Sequence, residues 1–122
     1  AATPGEAGKT PSMLVTAYNK TSGVLTISYG VACSTTNNHI EHGLIGNVKT
    51  YTYAGQVCGI GNTGTGTFVV PDGSFFLVVA DNATNEGSYG KRRTSGVLAE
   101  RPKDSTSVAC QKPQNLATRC DP

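Results

Sequence analysis

At 122 residues and 12.6 kDa the chain fits one domain built on one modest core, without a second unit. A formal net charge of +2, with charged residues at 15%, is too slight to draw it onto nucleic acid or an anionic membrane by long-range field. Its apolar runs, such as Phe75 to Ala80, fall far short of the roughly 20 residues a membrane-spanning helix requires, so neither nucleic acid nor membrane insertion by this chain itself is expected.

Residues 1–12 carry Pro4, Gly5, Gly8 and Pro11 without periodicity and read as an extended arm that needs a partner to be ordered, with the domain proper over 13–122. No basic start leads into an apolar stretch, and the chain reads as an exported form whose signal has been cleaved. Apolar and polar residues alternate over 13–18 and again over 24–29, and the intervening 19–23 supplies turn chemistry, which predicts a hairpin. A third strand is expected over 38–45, bounded by the Ser, Thr and Asn cluster before it and by Gly46 and Asn47 after it. Alternation with β-branched and aromatic residues predicts two more strands, over 48–53 and 65–70.

Pro71, Asp72 and Gly73 signal a turn ahead of Phe75 to Ala80, whose unbroken apolar run predicts a central strand buried on both faces. A basic run at Lys91, Arg92 and Arg93 follows, and a last strand is expected at 97–99, before Pro102. Six or seven short strands at intervals of about ten residues, without a helical window, imply an all-β fold, a two-sheet antiparallel sandwich.

Cys33, Cys58, Cys110 and Cys120 form an even set without Cys-x-x-Cys spacing, which reads as two disulfides rather than a redox or zinc motif. Of the three connectivities four cysteines allow, Cys33–Cys58 with Cys110–Cys120 is favoured, because only nine residues separate the last pair at the chain end. Loops of these sizes are each worth roughly 3 kcal/mol.

Candidate sites are few. His39, Glu41 and His42 have metal-ligand chemistry, but on a strand His39 and Glu41 share one face and His42 takes the other, so the expected state is a solvated strand face without metal. Gly59, Gly61 and Gly64 match GxGxxG, yet no helix-forming stretch follows, and a glycine turn is expected instead of a phosphate cradle. Asp81, Asn82, Asn85 and Glu86 offer oxygen ligands as a weak calcium candidate, against the plainer reading of an Asx-stabilised turn. Asn19 and Asn82 begin glycosylation sequons. Tyr18, Tyr29, Tyr51, Tyr53 and Tyr89 could form a sugar-stacking platform, but core packing is the default for tyrosines on strands. No nucleophile motif and no recognisable carboxylate pair is present, so catalysis is not expected and no cofactor is implied.

Several words recur in one order: Ser28-Tyr29-Gly30 before Cys33, Ile40 to Gly43 after it, then Gln56 to Gly61, Thr63 to Gly66, Phe75 to Ala80, Glu86 to Gly90, Gly96, and Glu100-Arg101-Pro102. Together they resemble a fibronectin type III-like (Ig-like) domain of exported bacterial proteins over about residues 13 to 120. That resemblance implies a structural pairing of the two middle cysteines, matching Cys33 with Cys58, while Glu41 and His42 depart from the aromatic or aliphatic residues usual there. The ending from Cys110 to Pro122 resembles the C-terminal disulfide loop of type IV pilin heads.

The resulting expectation is a structural subunit of an extracellular or cell-surface filament. It would assemble with copies of itself, and on a separate short hydrophobic pilin-type helix, through its sheet edges, its C-terminal loop, the arm residues Ala1, Thr3, Pro4 and Pro11, and the basic run Lys91, Arg92 and Arg93. The competing expectation is an accessory module that binds carbohydrate or cell wall.

Overall fold

The computed structural model of the chain describes residues 3–105 and 109–121. Eight strands run through them: β1 (Leu14–Tyr18), β2 (Val24–Ser28), β3 (Asn37–Leu44), β4 (Gly55–Val57), β5 (Thr65–Val69), β6 (Ser74–Asp81), β7 (Lys91–Thr94) and β8 (Val97–Glu100). All pairings between these strands are antiparallel and make three groups, ordered β1-β2-β5, β4-β3-β6 and β7-β8. The chain is therefore all-β, as its turn-rich alternating composition predicts.

The β1–β2 hairpin closes where turn chemistry is expected. Asn19 Oδ1 accepts from the backbone N–H groups of Thr21 and Ser22 at 2.9 and 3.1 Å, an Asx arrangement that holds the chain reversed. Along β5 the alternation is complete: Thr65, Thr67 and Val69 are exposed, while Gly66 and Phe68 are buried. Ile27 and Phe68 of this sheet meet Ile40, Val78 and Ala80 of the other in one core, with Tyr29 and Ala7.

The strand β6 lies at the edge of its ladder and pairs with β3 alone, so the expectation of a central β6 is corrected: β3 holds the middle position. The apolar run is nonetheless explained, because β6 has an apolar core on each face. Phe76, Val78 and Ala80 pack into the shared core, whereas Phe75, Leu77 and Val79 pack into a second one with Tyr53 and Tyr89. Loops rather than a sheet cover that second face.

One covering loop is the segment expected as a strand over 48–53, and it is not a strand. After a 3-10 turn at Ile45–Asn47, the backbone N–H groups of Val48, Tyr51 and Thr52 donate to Ile45, Val48 and Asn47 carbonyls, and Tyr51 takes a positive φ of 51°. Local turns replace the ladder because the β-prone side chains are used as a lid: the Tyr53 ring lies 5.8 Å from Tyr89 and 6.0 Å from Phe75, centroid to centroid.

The arm is also different from the expectation, because its partners lie within the same chain. Thr3, Pro4 and Ala7 are buried; Thr3 pairs in parallel with Arg119, and the N–H groups of Gly5 and Gly8 donate to Cys33 O and Gly30 O at 3.2 and 2.9 Å. Gly30 and Gly87 permit this, since a Cβ at either would strike the backbone of the arm.

The disulfides join Cys33 to Cys120 and Cys58 to Cys110, which corrects both expected pairings. The physical reason is the route of the C-terminal segment. It does not curl into a local loop; it runs back along the arm, where Cys120 N–H donates to Thr3 O at 3.1 Å, beside Cys33. Closing loops of 87 and 52 residues, the two bonds contribute about 4–5 kcal/mol each in the chain-entropy picture. They also indicate an oxidising, extracytoplasmic environment. Among the described residues, no helix is long and apolar enough to cross a membrane.

Candidate functional site

The pleat of β3 sends Asn38 and Ile40 to the shared core and His39 and Glu41 to the second face, as strand alternation requires. That face is not solvated. His39, Glu41 and Glu86 are completely buried, and Asp81 and Asp104 nearly so. Polar residues in the middle of a buried strand therefore require partners, and the tertiary structure supplies them.

His39 is held from both sides. Its Nδ1 lies 2.9 Å from Asp81 Oδ2 and its Nε2 3.0 Å from Glu41 Oε2, with Glu86 Oε2 at 3.9 Å. Tyr89 OH donates to Glu86 Oε1 at 2.8 Å and to Glu41 Oε2 at 3.2 Å, and Gln56 Nε2 also donates to Glu41 Oε2. Lys103 Nζ reaches Glu86 Oε1 and Lys112 Nζ reaches Asp81 Oδ1, each at 3.2 Å. Lys112 completes the closure with its backbone N–H on Glu86 Oε2 and its Nζ on Asn82 O.

Burial alone disfavours the imidazolium, but hydrogen bonds to Asp81 and Glu41 and the charge of Glu86 outweigh it, and His39 is raised to about 9. Burial raises Glu41 to about 7 despite the opposing hydrogen bonds of His39 and Gln56. For Asp81, burial acts upward, yet His39 and Lys112 hold the carboxyl below its ordinary value. Tyr89 is raised by burial and by the carboxylates around it. At neutral pH His39 is thus a cation clamped among carboxylates. Both of its nitrogens are occupied and neither is open to solvent, so it offers no base or ligand to an incoming molecule.

The weak calcium candidate dissolves into this network. Asp81 and Glu86 turn inward onto His39, Lys103 and Lys112, and Asn85 Nδ2 donates to Pro113 O at 3.1 Å. Asn82 makes the Asx turn instead, its Oδ1 accepting from the N–H groups of Thr84 and Asn85. Buried, and donating through Nδ2 to Ser34 O at 3.1 Å, Asn82 does not present an amide for glycosylation, whereas Asn19 stands exposed in its hairpin turn.

Gly59, Gly61 and Gly64 take positive φ in a turn that leads into β5 rather than a helix, and Gly61 O accepts from Asn38 Nδ2 and Tyr29 OH. His42 points away from His39 and Glu41, beside Gly55 of β4. Among the described residues, the group close enough to hold a metal is Cys33, Cys120 and Asp121, whose sulfurs are consumed in a disulfide. Tyr29, Tyr53 and Tyr89 are core residues, leaving no continuous aromatic platform.

Of the expected assembly residues, Ala1 lies outside the described residues, Thr3 and Pro4 are interior, and Pro11, Lys91 and Arg93 are exposed with Arg92 half-buried. What the sequence reading missed is the second half of the network: Gln56, Tyr89, Lys103 and Lys112, with the buried carboxyl of Asp104, which acts to raise Glu41. The one available signal is the polar His-x-Glu step inside a segment otherwise bounded and sized as a strand. Comparisons with protein families, with curated proteins and with solved structures find no match to this chain.

Proposed function

We propose that this chain is a non-catalytic structural subunit of an extracellular filament. In this reading the domain is a fibronectin III/Ig-like sandwich head, similar to a pilin head, and a separate short apolar helix completes the subunit. The observation that carries it is β1, an edge strand exposed along its whole length, with Leu14, Val15 and Tyr18 at 62, 51 and 49% exposure. Monomeric proteins protect such edges with charge, proline or cover.

Register gives the edge a direction. Val15 pairs with Ile27 and Tyr18 with Leu25, so the irregularity between Val15 and Ala17 keeps both residues on the face that further inward carries the core. The apolar face of the sheet thus runs past the end of its own cover, in the form an apolar helix packs against. The sealed His39 network and the two long-range disulfides suit a load-bearing head, because they tie the chain ends and the loops to the sheets.

Electron microscopy and mass spectrometry on material sheared from the native cell surface test this reading. Filaments containing the chain, lost in a Val15→Lys/Tyr18→Lys variant that melts like the parent, are the expected result. Monomers only, or filaments untouched by those charges, would sink it.

A further inference from the structure

Burial sorts the charges of this chain unevenly. Of its eight acids, Glu41, Asp81, Glu86 and Asp104 are buried and Glu6, Glu100 and Asp121 half-buried, which leaves Asp72 as the exposed one. Lys9, Lys20, Lys49, Lys91 and Arg93 are all exposed. A nearly neutral chain therefore presents a cationic surface, with Lys91 and Arg93 of it on the β7–β8 hairpin beside half-buried Arg92.

Among the described residues that hairpin pairs with no other strand, and its exposed side chains are of two kinds. Val97 and Leu98 stand 64 and 53% exposed at its end. Each is backed by a guanidinium on its own face: Arg93 is the cross-strand partner of Leu98, and Arg92 lies two positions inboard of the Thr94–Val97 pair. Beneath Arg92 is a cleft of about 400 Å³ lined by Val48, Lys49, Tyr51, Arg92 and Arg93. Arg92 is oriented there by donating to Lys49 O at 2.6 Å and by stacking 5.1 Å over the Tyr51 ring, the residue with positive φ. Among the described residues no carboxylate is within ion-pair distance of Lys49, Lys91, Arg92 or Arg93; Glu100, opposite Lys91, is taken by Ser88 Oγ and Tyr89 N–H.

We propose that the β7–β8 hairpin docks this chain onto an anionic, phosphate-bearing lipid surface, with Val97 and Leu98 in the headgroup boundary and Lys49, Lys91, Arg92 and Arg93 on the phosphates. The two-residue step from the Arg92–Ala99 pair to the Thr94–Val97 pair spans about 7 Å. Interfacial segments seat their apolar side chains about 5–10 Å into that boundary, so both sets of groups meet their matching layer at once. A soluble acidic polymer has no use for the exposed valine and leucine, and a second copy presents a like-charged surface with one exposed acid. The contact is peripheral and local, so it does not depend on the small net charge.

Co-sedimentation of the full chain with vesicles tests it, using phosphatidylcholine alone against phosphatidylcholine with phosphatidylglycerol at about one part in three. Binding to the anionic vesicles and not to the neutral ones is expected. Arg92→Gln/Arg93→Gln should weaken it about 30-fold, and Lys91→Gln/Arg93→Gln, confined to exposed side chains, by a similar factor. Val97→Ser/Leu98→Ser should lower it at least about tenfold, while Lys9→Gln/Lys20→Gln should leave it within about threefold of the parent. Equal binding to neutral vesicles, insensitivity to the Val97 and Leu98 changes, or an equal loss in the Lys9 and Lys20 variant would overturn the proposal. So would tighter binding to a soluble polyuronate, or hairpin-dependent dimers that ignore vesicles. Because the assay uses isolated chains, its result is independent of whether filaments form.

Discussion

His39 Nδ1 and Asp81 Oδ2 meet at 2.9 Å on adjacent strands, with the two side chains 0 and 5% exposed. The strand register places His39 opposite Val79 and Asp81 opposite Asn37, so the pair is diagonal across the ladder. Such diagonal neighbours are within reach of long or aromatic side chains. The consequence is a protonated imidazole inside a protein, held there by carboxylates from β3, from β6 and from the loop that follows.

A pH dependence follows from this clamp. His39 rises from 6.5 unfolded to about 9 folded, so its contribution is complete below pH 6.5 and is lost as pH climbs through 9. Glu41, raised from 4.5 to about 7, acts in the same direction and begins the decline earlier. Asp81, held below its ordinary value, contributes above pH 3.8 and loses that contribution as pH falls below it. Urea unfolding near pH 6 and near pH 9 should show stability falling by roughly 1 kcal/mol per pH unit over the His39 range. His39→Ala should remove the part of that slope above about pH 7, leaving the earlier part that Glu41 contributes, and destabilise the chain by about 3–5 kcal/mol at neutral pH, because Glu41, Asp81 and Glu86 lose their shared cation. A slope at about pH 8 to 9 that survives the substitution would assign the dependence elsewhere.

The covalent frame is checked by peptide mapping without reduction. Fragments linking Cys33 to Cys120 and Cys58 to Cys110 are expected. Removing the first pair as Cys33→Ser/Cys120→Ser should cost about 4–5 kcal/mol, more than a short terminal loop would. A Cys110–Cys120 fragment would refute the route traced by the C-terminal segment.

Two glycines report on the docked arm. Gly30→Ala would set a Cβ against Thr10 O and Pro11 N, and Gly87→Ala against Gly5 O and Pro4 O. Backbone cannot yield as a flexible side chain can, so each should cost about 1–3 kcal/mol. Hydrogen exchange at the Gly5 and Gly8 amides should accelerate in both variants, since those N–H groups donate to Cys33 and Gly30. Unchanged protection there would mean that the arm does not pack closely against Gly30 and Gly87.

Alternation located β1, β2 and β5, bounding turn residues located β3, and apolar stretches located β6 and β8, each to within a residue or two, because spacing, turn chemistry and apolar runs are local properties of the chain. The even cysteine count and the turn-rich composition likewise carried the all-β class and two disulfides. Partners were another matter. Val48 to Tyr53 has strand propensity, yet the second face of β6 needed an aromatic lid, and tertiary packing prevailed over local preference. His39 and Glu41 were correctly assigned to one face, but whether that face meets water depends on Lys103 and Lys112, more than 60 residues away. The cysteine partners depend in the same way on an arm and a tail lying side by side. Local sequence determined where this chain extends, turns and alternates, since those are properties of neighbouring residues; which surfaces, charges and sulfurs meet was decided only by the long-range fold, because burial brings together groups far apart in the chain.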